Sequence, residues 1–218
     1  MIRNNPTNPS PLRLRYAMLL AAVLTVLGVV AMPTLDLIVA HAQKAYELPG
    51  ELRRLVAFSE VFAHGLGVLL IILVCVAVDT RHWRIAPTLL ATAYLAGLTA
   101  NLCKLLVARV RPYAMDLPAD DVWRTFQGWF LAGDSSLQSF PSGHSATAAG
   151  FAMGLACLYP RWIPLWASLA ILACSQRSFS SSHYLSDILI GAALGIIVAA
   201  TMLNPRLPLG RFLEKMRK

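Results

Sequence analysis

Charge is scarce in this chain. Only 14% of its 218 residues are charged, and just 11 residues are acidic, whereas soluble domains carry about 25% charged residues. An ordinary soluble domain is therefore excluded. Cysteine is scarce as well: Cys75, Cys103, Cys157 and Cys174 all fall in apolar stretches and none forms a C-x-x-C pair. That pattern speaks against a disulfide frame or a zinc site and for unlinked thiols packed among apolar side chains. Internal repeats and low-complexity tracts are missing, which leaves no sign of a repeat architecture. The net charge is +8, yet the basic residues do not gather on one face and no nucleic-acid module is visible, so a nucleic-acid partner is set aside.

Apolar length is what the chain has in abundance. Hydrophobic residues make up 57% and the mean hydropathy is +0.59, the composition of a membrane protein. With about 20 residues needed per crossing, the length accommodates about six spans and little else. The fold expected is an all-α, six-transmembrane-helix bundle covering residues 16–203, between a basic, poorly ordered arm (1–15) and a basic tail (204–218). The first span runs from Tyr16 past Pro33 and Asp36 to about Ala40. A signal peptide cleaved near Ala40-His41-Ala42 is its rival, although the apolar run exceeds the usual 7–15 residues of a signal core. Further spans are expected at 55–78, closed by Asp79, Thr80, Arg81 and His82, then at 85–107, 145–159, 162–175 and 184–203. The fourth is rich in Ala and Gly, as suits close packing between membrane helices. Between the third and fourth lies the longest polar segment, 113–140, with Asp116, Asp120, Asp121 and Asp134. Its Trp123, Phe126, Trp129 and Phe130 suit a bilayer surface.

Six spans place both termini on one side. Eleven basic residues fall on that side and eight on the other, which also holds nine of the 11 acidic residues. The positive-inside rule then makes the termini cytoplasmic and the opposite face external.

Three polar clusters end helices on that external face: Lys104 with Arg111-Pro112, then Pro141-Ser142-Gly143-His144, then Arg177 with His183 and Asp187. Singly, each has a plain structural explanation: a snorkelling cation, a turn and helix cap, a buried histidine satisfied by a carboxylate. Together, at one membrane level, they define a chemistry. Lys104, Arg111 and Arg177 can surround a tetrahedral dianion. Backbone N–H groups around Ser142, Gly143 and His144 open a helix, where anions bind. His183, held in one tautomer by Asp187 four residues on, can present a neutral nitrogen to phosphorus. His144 can protonate the leaving oxygen and later activate water. Charge stabilisation by the three cations requires no metal or other cofactor, and the carboxylates do not cluster.

The motifs Lys104-x6-Arg111-Pro112, Pro141-Ser142-Gly143-His144 and Arg177-x5-His183-x3-Asp187 closely resemble, in order and spacing, the three signature motifs of the type-2 phosphatidic acid phosphatase superfamily of lipid phosphate phosphatases. The resemblance implies a six-helix membrane phosphatase working through a phosphohistidine on His183, with His144 as acid and base and Asp187 orienting the nucleophile. Lys104, Arg111, Ser142, Gly143 and Arg177 would bind the phosphate. It further implies a lipid phosphate or pyrophosphate substrate, of the undecaprenyl pyrophosphate, phosphatidylglycerol phosphate, phosphatidic acid or lipid A type, in a bacterial inner membrane with the site facing the periplasm. The third motif departs from the family pattern: Gln176 stands before Arg177 where Ser is usual. Lipid-to-lipid phosphotransfer at the same site stays open, as does a non-catalytic lipid-binding or transport protein. A soluble vanadate-dependent haloperoxidase sharing the motifs is excluded by six spans. Glu60 and His64, one turn apart in the second span, line the route to the site or form a structural pair.

Overall fold

The structure is a computed structural model that describes residues 10–46, 48–78, 83–115, 121–130 and 133–217. Residues 1–9 of the expected arm, the Asp79–His82 cluster, Asp116 and Asp120 lie outside the described residues. The arm is shorter than expected, because helix α1 already begins at Pro11 and runs to Thr34. Its start follows from local chemistry: the Ser10 side chain accepts the Arg13 N–H and proline fills the first turn, the usual opening of a helix.

The first span is broken where a continuous helix was expected. Pro33 lies within the last turn of α1, Leu35 separates the two pieces, and α2 (Asp36–Ala45) starts on the one acidic residue of the region. The second span is bent: α3 (Gly50–Phe58) and a 3-10 turn (Ser59–Phe62) meet α4 (Gly65–Val78) at 75°. At the break the Tyr94 hydroxyl donates to the Gly65 carbonyl. Helix α5 (Ala86–Leu106) leads into strand β1 (Val107–Arg109), which pairs antiparallel with β2 (Phe126–Trp129). The polar segment between α5 and α6 is thereby anchored to the end of α5. Helices α6 (Gly143–Leu158), α7 (Ile163–Phe179), α8 (Leu185–Leu203) and α9 (Pro208–Arg217) complete the chain. The expected tail is thus helical for most of its length.

Helix α8 is central, packed against α1, α5 and α6. Glycine makes this approach possible: a Cβ on Gly191 would lie 2.5 Å from the Ser142 carbonyl oxygen, and one on Gly195 would collide with the Ala146 backbone. Small residues at such crossings suit membrane helices, whose association rests on close van der Waals contact. The outside is apolar too, with Leu19, Val26, Leu70, Val74, Leu98 and Ile171 exposed, far more than a water-facing surface carries. Of the cysteines, Cys157 is buried but Cys75 sits on this outer face.

By length and composition α1, α5 and α8 can each cross a membrane, and the bent α3–α4 pair forms a fourth candidate. Helices α6 and α7 have 16 and 17 residues, at the short end of the roughly 17–25 that span a bilayer.

Candidate active site

The ends of α5, α6, α7 and α8 converge on a cavity of about 430 Å³, lined by Lys104, Arg111, Gly143, His144, Arg177 and His183 together with His64, Tyr94, Asn101 and Thr147. Six of the eight predicted site residues therefore share one wall. Lys104 comes from the last turn of α5, Arg111 from the chain after β1, Gly143 and His144 from the first turn of α6, and Arg177 from the last turn of α7. His183 comes from the short link to α8. Three buried nitrogens on this wall, Arg111 Nε, His144 Nε2 and Arg177 Nε, have no hydrogen-bond partner among the described residues. A buried donor left unpaired costs about 1–3 kcal/mol, so the arrangement makes sense as a cradle awaiting an acceptor-rich anion. Gly143 is needed for the fit, since a Cβ there would stand 2.8 Å from Asn101 Oδ1 and 3.6 Å from Lys104 Nζ.

His183 is held differently from expectation. Its Nδ1 lies 2.6 Å from the Ser139 carbonyl oxygen, whereas Asp187 Oδ2 is 3.8 Å away. The Nδ1–H donates to this carbonyl, which leaves Nε2 unprotonated in the neutral ring, and the carboxylate acts on the ring through charge. Asp187 acts on the His183 ring indirectly, for its Oδ2 accepts from the Ser139 hydroxyl at 2.6 Å and from the Tyr184 N–H at 3.0 Å. Those bonds fix the loop that carries the carbonyl. Burial is the main influence on His183 and pulls its pKa down to about 4; Asp187 works in the opposite direction, and Lys104 and Arg111 add to the lowering. The ring is therefore neutral near pH 7, as a nitrogen nucleophile must be.

Ser142 does not offer its hydroxyl to the cavity. It is fully buried and caps α6, accepting the Ser145 N–H at 3.3 Å and the Ser145 hydroxyl at 2.9 Å. Its own N–H donates to the Asp187 carbonyl at 3.0 Å. Ser142 thus ties the helix bearing His144 to the helix bearing Asp187. Capping claims the side chain first, and spacing alone does not show that.

The largest buried element around the site was missed from sequence. Arg109 has no exposed surface. Its Nη2 donates to Asp36 Oδ2 at 2.7 Å and its Nη1 to Asp187 Oδ1 and, at 2.8 Å, to Ser186 Oγ. Its Nε reaches Thr125 Oγ1 at 3.1 Å, and the guanidinium lies against the Tyr184 and Phe126 rings, 4.1 and 4.6 Å from their centroids. Burial alone lowers its pKa, yet Asp187 and Asp36 together hold it above the ordinary arginine value. Asp36 also accepts the Ser186 N–H at 2.8 Å, so the α1–α2 break is stitched to the start of α8. The available signal was Asp36 itself, an ionisable group in an apolar run.

Glu60 also belongs to the site. Its Oε1 pairs with Arg177 Nη1 at 2.9 Å and stands 3.4 Å from His144 Nε2, outside hydrogen-bond geometry. Its Oε2 accepts from Gln176 Nε2 at 3.4 Å. The His64 ring packs 5.9 Å from that of His144, so of the two readings the route to the site is the one the geometry favours.

The cavity thus combines three cations with a buried, neutral imidazole, a lining suited to an anionic group. The model of the PAP2 superfamily matches residues 86–207, and the chain belongs to that superfamily. It is 33% identical over 167 residues to the decaprenylphosphoryl-5-phosphoribose phosphatase of Mycobacterium tuberculosis, covering 74% of this chain and 84% of that protein. It is 34% identical over 116 residues to the lipid A 1-phosphatase of Rhizobium etli, covering 51% of this chain and 46% of that one. To the lipid A 4'-phosphatase of Bacteroides thetaiotaomicron the identity is 30% over 121 residues, covering 52% of each chain. The chain thus spans about half the length of the lipid A phosphatases it matches. No solved structure matches it.

Proposed function

We propose that the protein is an integral membrane phosphatase that removes phosphate from a lipid phosphate or pyrophosphate through a phosphohistidine on His183. The observation that carries this reading is the convergence of Lys104, Arg111 and Arg177 on one cavity with His183 and His144. In the first step His183 Nε2 attacks phosphorus, the bond to the leaving oxygen breaks, and His144 supplies the proton that oxygen needs. In the second, water attacks phosphorus, His144 takes its proton, and the nitrogen–phosphorus bond breaks to release orthophosphate. The three cations oppose the charge on the transferring oxygens throughout, and the site residues alone supply this stabilisation. Asp187 and Ser139 hold the nucleophile.

The chain is read as crossing the membrane six times, with α6 and α7 as short inner spans, both termini in the cytoplasm and the site at the periplasmic face of a bacterial inner membrane. The excess of basic residues on the terminal side supports that orientation. The relatives' names support a phosphate carried by lipid A or a polyprenyl lipid.

Phosphate release by the detergent-purified protein tests the proposal, with lipid A, decaprenylphosphoryl-5-phosphoribose, undecaprenyl pyrophosphate, phosphatidylglycerol phosphate and phosphatidic acid as substrates, excess chelator present and His183→Ala alongside. Release that survives chelator and is lost in the variant is expected. No release without an acceptor lipid would replace hydrolysis by phosphotransfer, and no turnover under either condition would refute catalysis.

A further inference from the structure

An ionised side chain in a membrane span is expensive and is retained for a reason that its partner reveals. Glu60 sits on the 3-10 turn at the bend of the second span, outside the residues matched by the family model. Its closest partner is Arg177, and Gln176 completes a triangle, its Nε2 donating to Glu60 and its Oε1 accepting from Arg177 Nη1 at 3.0 Å. One terminal nitrogen of the arginine fork is thus held by two acceptors from two different helical segments. The Arg177 Nε, on the cavity wall, stays buried and without a partner among the described residues. A guanidinium is planar, so fixing Nη1 fixes the direction in which Nε can donate.

We infer that Glu60, aided by Gln176, is a positioning residue that locks the Arg177 fork so that Nε is presented to the bound phosphate. This rests on reading the cavity as a phosphate site. It also gives Gln176 a role: its side chain reaches both Glu60 and Arg177, which the shorter serine usual at that place could not do at once. Glu60 contributes a negative charge near an anion site, which opposes binding, so its presence is worth having only if orientation outweighs repulsion.

Orthovanadate, a tetrahedral anion, serves as the probe of the phosphate site, with its Ki and the KM of the substrate found above measured on the full chain in detergent. Glu60→Ala raises both by about tenfold, the size of effect expected from losing a charge-assisted hydrogen bond, with kcat changed less. Glu60→Gln, which keeps an acceptor for Arg177, loses less. In an Arg177→Ala background Glu60→Ala changes Ki by no more than about twofold, because a residue acting through Arg177 has nothing left to act on. A merely structural role would instead give additive penalties. Wild-type Ki and KM in Glu60→Ala, or penalties that add with Arg177→Ala, overturn the inference. Should Glu60→Ala fail to melt cooperatively, Gln176→Ala carries the test: a Ki raised about threefold supports it and an unchanged Ki overturns it. If Arg177→Ala weakens vanadate while Glu60→Ala does not, only this inference falls. If vanadate does not inhibit the wild type, the phosphate-site reading falls with it.

Discussion

Replacing Arg109 with methionine keeps most of its buried volume but removes the only cation between Asp36 and Asp187 among the described residues. Both carboxylates and the guanidinium are fully buried, so water screens none of them. Breaking a buried pair by removing one partner costs about 3–5 kcal/mol, because a desolvated charge is left without compensation. Here one substitution strands two. The expected loss in Arg109→Met is at least about 3–5 kcal/mol of unfolding free energy in detergent. Asp187, freed from Arg109, also becomes available to the His183 ring 3.8 Å away, so kcat falls as well. Adding Asp36→Asn removes one stranded charge. The double variant should therefore exceed the additive expectation by about 1–3 kcal/mol, the coupling typical of residues in one network. Urea unfolding followed by tryptophan fluorescence measures stability, and phosphate release measures kcat. If Arg109→Met unfolds within about 1 kcal/mol of wild type, or if the two substitutions simply add, the network does not hold the site together as described.

Other outcomes follow from individual contacts. Burial lowers the His183 pKa to about 4 from a usual value of about 6.5, so between those values the unfolded chain binds the extra proton. Stability from this group is therefore complete above pH 6.5 and lost as pH falls toward 4, by about 3 kcal/mol in all; His183→Gln flattens that fall in a pH series of melting curves. Gly143→Ala drives a methyl against Asn101 and toward Lys104, and overpacking of this kind costs about 1–3 kcal/mol. A lowered melting temperature is expected, and an unchanged one would show that the Asn101 side chain swings aside. Gly195→Val forces α8 away from the Ala146 backbone and lowers the melting temperature, whereas a substitution at exposed Val74 does not.

Much of this arrangement was legible from residue order. Lys104, Arg111, His144, Arg177 and His183 stand out not singly but together, as cations and histidines that end apolar runs at one membrane level, and the ends of α4, α5, α6 and α8 fall within one residue of where those runs stop. What was not legible depends on partners far away in the chain. Asp36 and Glu60 stand in expected spans, and although His64 lies one turn from Glu60, their actual partners, Arg109 and Arg177, are 73 and 117 residues distant. At Ser142 a cap and a ligand look alike in one dimension, and the His183 tautomer is set by a backbone carbonyl, which no side-chain pattern records. The break at Leu35 and the bend at His64 fall beside the few polar residues, Asp36 and Glu60, of runs that are otherwise long enough to read as single spans.

The phosphohistidine itself gives the most direct test. Rapid base quench of the enzyme during turnover of a 32P-labelled lipid phosphate, followed by peptide mapping, should show an acid-labile, base-stable phosphoryl group on the peptide containing His183, absent in His183→Ala. Steady-state phosphate release with no such label at any quench time, or label on a different residue, would contradict the account.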